Sequence, residues 1–147
     1  MTWSAFYLLL SITLFPTQPP AHLNATAWLE FVKQTCKVYN VDHYWLLALC
    51  KIESNFQFGQ LGKTPFYGPG GLNKHCDNLK EINLNNPYIA TWATIRAVKG
   101  CSNIESRWFK RLQIYNSDWK NNKSKWWKYW KAIEMQQRRY KMEGFIR

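Results

Sequence analysis

Asp42-His43-Tyr44-Trp45-Leu46-Leu47-Ala48-Leu49-Cys50-Lys51-Ile52-Glu53-Ser54-Asn55-Phe56 is the most informative stretch of this chain. Asp42 is a natural N-cap, because its carboxylate can accept the unpaired backbone N–H groups of a first helical turn. Behind it Trp45, Leu46, Leu49, Ile52 and then Phe56 recur at helical intervals, which predicts a helix over about residues 43–54 with one apolar face. Glu53 follows Cys50, Leu49 and Leu46 by three, four and seven positions, so its side chain shares a face with apolar groups. It also lies in the last turn, where unpaired carbonyls make a negative potential. Desolvation and that potential both disfavour the ionised carboxylate, so the pKa should rise. A carboxyl that stays protonated near neutrality can donate a proton to a leaving sugar oxygen. From position alone, a Glu at a helix end is more often plain solvated surface.

From Gly59 to Gly71 the chain holds five glycines and two prolines, which predicts a loop or short hairpin. Missing side chains there would let an extended polymer approach the backbone. Upstream, Trp28, Phe31, Val32 and Val38 suggest a helix from Ala27 to Tyr39, capped by Asn24 or Thr26. Downstream, Pro87 opens a helix with Ile89, Trp92, Ala93 and Ile95 as core candidates, and Gly100 is expected to end it near Val98. Two more helices are expected, from Ile104 to Tyr115 and from Trp126 to about Tyr140. The expected fold is mainly α, a single domain in which a helix carrying Glu53 is followed by a Gly-rich loop or short hairpin.

The 147 residues suit one domain, and a 46% hydrophobic, 17% aromatic composition is ample for a core and argues against disorder. A net charge of +11 favours an anionic partner: nucleic acid, a membrane surface or a carboxylate-bearing wall. Thr2 to Phe15 is nearly all apolar or small, ended by Pro16, Pro19 and Pro20, and Ala25-Thr26-Ala27 offers a small-residue cleavage pattern. Residues 1–27 therefore read as a signal peptide, with an uncleaved anchor as the alternative, although no Lys or Arg precedes the apolar run. Export places the protein in a periplasm, a cell envelope or the medium. There Cys36, Cys50, Cys76 and Cys101 could form up to two disulfides, in three pairings that the sequence does not rank; free core cysteines are the alternative. No Cys or His cluster suggests a metal, and no cofactor is expected.

The helix Leu47 to Phe56, with its Glu53-Ser54 pair, resembles the catalytic helix of the soluble lytic transglycosylases, which belong to the lysozyme-like superfamily. Gly68-Pro69-Gly70-Gly71-Leu72 is similar to that family's Gly-Ala-x-Gly-Leu turn, and Ile114-Tyr115-Asn116 to its late Ala-Tyr-Asn motif. Val41-Asp42 matches the family's short Val-Asp or Val-Pro lead into the helix. Three motifs in order span roughly Trp28 to Asp118, an ordering more specific than any one of them. The resemblance implies an α+β lysozyme-like fold over residues 28–118. It implies peptidoglycan glycan strands as substrate, with Glu53 as general acid and then base and Ser54 supporting it. Tyr115 would orient the carboxyl, Asn116 would lie near the sugar, and the turn with Gly71, Leu72 and Lys74 would bind the glycan. The implied reaction is non-hydrolytic: the muramic acid's C6 hydroxyl attacks its own anomeric carbon, giving a 1,6-anhydro end with one protein carboxylate where hydrolases commonly use two.

This chain departs from the family pattern in three places. Asn73-Lys74 replaces Met-Gln, Ser117-Asp118 replaces Ala-Gly, and the segment between Glu53 and the turn is longer. These mark a divergent member, of the kind found near secretion, conjugation or phage assembly machinery. Three alternatives follow from particular residues. A lysozyme-type hydrolase would use Asp77 or another acid to position water, and a weakly catalytic wall-binding or assembly protein would fit Asn73-Lys74. A membrane-active or nucleic-acid-binding cationic protein would fit the tail. That tail, residues 119–147, carries nine Lys or Arg against Glu134 and Glu143, and Trp126, Trp130, Ile133 and Tyr140 repeat at helical spacing. The plainest reading makes it a last helix closing the core, attracted electrostatically to wall or membrane without recognising a specific nucleic acid.

Overall fold

The computed structural model describes residues 24–104 and 123–145, with the side chains of 100–104 and 123–127 excepted. Helix α1 spans Ala25–Tyr39, and Asn24 caps it by accepting the Ala27 N–H at 3.1 Å. The Ala25-Thr26-Ala27 cleavage pattern is therefore the first turn of this helix. Its buried arc runs through Trp28, Phe31, Val32, Thr35 and Cys36. Val38, expected in the core, lies at the edge of that arc and is 52% exposed. Asn40, left-handed at φ 54°, ends the helix and leads directly to Asp42.

Helix α2, His43–Ser54, is the expected one, and the Asp42 carboxylate accepts the N–H groups of Tyr44 at 2.9 Å and Trp45 at 3.3 Å. Trp45 through Cys50 are all buried, so this helix runs through the middle of the protein; only Ile52 among its expected core residues is exposed. After it, Asn55 and Phe56 both take positive φ, 52° and 61°. For an aromatic residue that conformation is strained. Burial offsets the strain, because the Phe56 ring packs edge-on against Trp28 and Phe145, with centroids 6.1 and 5.4 Å apart.

The glycine-rich segment is a short hairpin. Strand β1, Phe66–Tyr67, pairs antiparallel with β2, Leu72–Asn73, in the register Phe66 with Asn73 and Tyr67 with Leu72. A single 3-10 turn, Asp77–Leu79, then leads towards helix α3, Pro87–Ile104. Buried Asn86 caps α3 through the N–H groups of Tyr88 and Ile89. Of the expected core residues, Trp92, Ala93 and Ile95 are buried and Ile89 is half-buried. Gly100 does not end the helix, which continues to Ile104; a helix-interior glycine costs only about 1 kcal/mol. Two tertiary hydrogen bonds fix α1 on α3: Trp28 Nε1–H to Thr91 Oγ1 at 2.9 Å and Trp92 Nε1–H to the Tyr39 hydroxyl at 3.1 Å.

Helix α4, Lys123–Glu143, packs chiefly along α2. Ile133 and Tyr140 are buried in the common core and Trp130 is half-buried, so α4 helps close this core; the Trp126 side chain lies outside the described residues. Gln137 Nε2–H donates to Asp42 Oδ2 at 3.2 Å, and Lys141 Nζ lies 2.9 Å from the same oxygen. The result is a mainly helical protein with one two-stranded hairpin. The helix expected from Ile104 to Tyr115 lies, past Ile104, outside the described residues. None of the described helices is long and apolar enough to cross a membrane.

Cys36, Cys50 and Cys76 are free thiols, so the disulfide expectation is not met among the described side chains; that of Cys101 lies outside them. Cys36 and Cys50 serve instead as small apolar core residues, and burial pushes the Cys36 thiol up to about 12. Burial also raises the thiol of Cys50.

Candidate active site

Glu53 is half-buried in the last turn of α2, and burial pushes its pKa up to about 8. No charged side chain among the described residues adds to this effect. No hydrogen bond or ion pair reaches this carboxyl from the described residues. A neutral carboxyl at pH 7, partly open to water and still holding its proton, is what a general acid requires.

Against it lies the glycine turn between β1 and β2. Gly71 sits at φ 62°, and a Cβ on it would stand 3.3 Å from Glu53 Oε2 and 3.9 Å from Leu61 Cδ1. The carboxyl thus lies against bare backbone. The other glycines of the turn face helix α3. A Cβ on Gly70 would fall 2.3 Å from Thr94 Cγ2, and one on Gly68, at φ 76°, would fall 2.7 Å from Ala90 Cβ. The turn is wedged between α2 and α3 with no room for side chains, which explains why three glycines fall there.

Ser54 locks this arrangement. Its hydroxyl is buried, lies 2.8 Å from the Pro69 carbonyl and 3.3 Å from that of Cys50, and accepts the Gln57 N–H at 3.2 Å. One side chain thereby joins the end of α2, the chain leaving it and the glycine turn. Leu72, next to Gly71, is buried in the core. Lys74 is exposed on the strand exit, its Nζ 5.5 Å from the centre of the Tyr67 ring. Tyr115 and Asn116 lie outside the described residues.

The Asp77 carboxylate is 96% exposed and paired with Lys80 at 2.7 Å. Glu81 is exposed as well, and Asp42 is a cap at the opposite end of α2. Among the described residues no second carboxylate raises the Glu53 pKa, and no group of His, Cys, Asp and Glu could hold a metal ion. Sequence reasoning missed Leu61, Ala90 and Thr94 as parts of the site. Ala90 and Thr94 carry a helical i,i+4 spacing but nothing that marks them as walls of a turn distant in sequence.

Comparison of the chain with protein-family models, with curated proteins and with solved structures finds no match.

Proposed function

We propose that this protein is an exported lytic transglycosylase of lysozyme-like fold that cleaves the glycan strands of peptidoglycan. The observation that carries the reading is a half-buried Glu53, kept protonated near neutrality by burial and seated on the Gly71 backbone. Glu53 donates its proton to the glycosidic oxygen that leaves the muramic acid. The resulting carboxylate takes the proton from the C6 hydroxyl as that oxygen bonds to the anomeric carbon, closing the 1,6-anhydro ring. The proton count balances with one carboxyl, so this route asks for no second acid. Ser54 acts as a positioning residue by fixing the glycine turn against the acid.

Digestion of purified peptidoglycan followed by mass analysis tests this. The expected products are 1,6-anhydromuramoyl ends, lost in Glu53→Gln. Reducing ends would point to the hydrolase, and binding without turnover to a wall-binding protein.

A further inference from the structure

Helix α4 has a second face that the described residues leave exposed. Ile133 and Tyr140 turn into the core, whereas Lys128, Lys131, Met135, Arg138, Arg139 and Met142 are exposed. Their spacing of three, four, three or four, and three or four residues draws one line along the helix. Met135 is 66% exposed and Met142 85% exposed, one seven-residue repeat apart, which is roughly 10 Å along the axis. A single exposed apolar residue is ordinary. Two of them aligned with four cations are a pattern.

The charge of this line is mainly positive. The acids near it are Glu134, already engaged with Arg138 at 3.1 Å and Lys131 at 3.9 Å, and the exposed Glu143 just past Met142. We propose that this face of α4 docks on an anionic lipid surface, with its Lys and Arg heads at the phosphates and Met135 and Met142 entering the headgroup–acyl boundary. The methionines favour lipid over an anionic wall polymer, since sugar carboxylates would be held by the cations alone and offer nothing apolar. Nucleic acid would call for exposed aromatic faces. The described aromatics of α4 are instead taken inward: Tyr140 is buried, Tyr129 and Trp130 are half-buried, and Lys131 covers the Trp130 ring at 5.8 Å. Such a basic, partly apolar helix face suits interfacial binding without spanning. The inference is independent of what Glu53 does.

The test is co-sedimentation of the full chain with vesicles of phosphatidylcholine alone and of equal parts phosphatidylcholine and phosphatidylglycerol. The apolar stretch Thr2 to Phe15 can partition into either, so the quantity read is the gain in affinity on adding phosphatidylglycerol. That gain should fall about tenfold in Met135→Ser/Met142→Ser and by a similar factor in Lys128→Gln/Arg139→Gln. It should persist in Met135→Leu/Met142→Leu. All these side chains are exposed, so melting temperatures should not move. Absence of any gain overturns the proposal. So does a gain that the serine variant leaves intact and soluble polyglutamate abolishes, because attraction is then purely ionic and the partner is a polyanion in solution or in the wall.

Discussion

Replacing Glu53 by Gln should stabilise the protein while abolishing its activity, and the stabilisation should depend on pH. Folding raises the Glu53 pKa from 4.5 to about 8. Below pH 4.5 the carboxyl is protonated in both folded and unfolded chains and favours neither. Between 4.5 and 8 the folded protein holds a proton that the unfolded chain releases, so stability falls as pH rises, by about 1.4 kcal/mol per pH unit. The full interval would give at most ~5 kcal/mol. Glu53 is partly open to water, which screens and relaxes the buried charge, so about 2 kcal/mol is a better expectation. Gln stands in for the protonated acid at every pH. Thermal unfolding of the two proteins should therefore nearly coincide at pH 4 and separate by roughly 5–10 °C at pH 8–9, the variant melting higher. Peptidoglycan cleavage by the parent should fall only around pH 8, where Glu53 ionises in the folded protein. Equal melting temperatures at alkaline pH, or a difference that ignores pH, would refute the claim that burial sets the state of this carboxyl.

Other consequences are more local. Gly71→Ala imposes a positive φ on a side-chain residue and sets a methyl against Oε2, so melting should report a loss of about 1–2 kcal/mol and turnover should drop with it. Ser54→Ala removes the bond to Pro69 and should cost about 1–2 kcal/mol, with kcat falling more than binding as the turn loosens beneath the acid. At the other end of α2, burial works to raise the Asp42 pKa, but Lys141 and the N–H groups of Trp45 and Tyr44 outweigh it and hold the carboxyl below 3.8. That stabilisation is present above pH 3.8 and lost as pH falls through the lower folded value, so Asp42→Ala should cost about 1–2 kcal/mol near neutrality and less in acid, read from denaturant midpoints. Truncation after Asn122 removes Ile133, Tyr140, Lys141 and Phe145 together, and calorimetry should show loss of the cooperative transition. A shorter chain that still melts cooperatively would mean α4 only decorates the core.

How far the sequence carried these conclusions depends on the range of each interaction. Asp42 was legible as a cap because capping is settled within three residues, and α2 has the bounds its apolar spacing predicts. Glu53 stood out because its apolar neighbours share its own helix. Gly68, Gly70 and Gly71 could be read as a turn but not as a wedge, since Ala90 and Thr94, which forbid their side chains, come from a helix elsewhere in the chain. Asp77 drew notice through nearness in sequence to the turn; its exposure and its pairing with Lys80 come from the 3-10 turn that bears it. Val38 was misplaced because the arc centred on Thr35 and Cys36 leaves it at the margin; a polar Thr on that arc hid where its centre lay. Gly100 misled because a glycine inside a helix costs only about 1 kcal/mol, and the helix runs through it to Ile104.

The two ends of α2 carry opposite ionisation problems, and α4 bears on both. At the N-terminal end an ionised Asp42 suits the positive end of the helix and is tied to α4 through Gln137 and Lys141. At the C-terminal end Glu53 must stay neutral where the helix would make ionisation harder still, and the chain that follows is pinned by Phe56 against Phe145, just beyond α4. A helix held at both ends cannot readily slide or fray, and fraying of its last turn is what would let water reach Glu53 and return its pKa to that of an ordinary glutamate. The tail helix, whose described side chains make no hydrogen bond or ion pair with the carboxyl, therefore helps keep the acid protonated. This places its contribution to the chemistry in the pH profile: weakening the α4 contacts with Asp42 or Phe56 should move the alkaline limb of activity towards lower pH before it unfolds the protein.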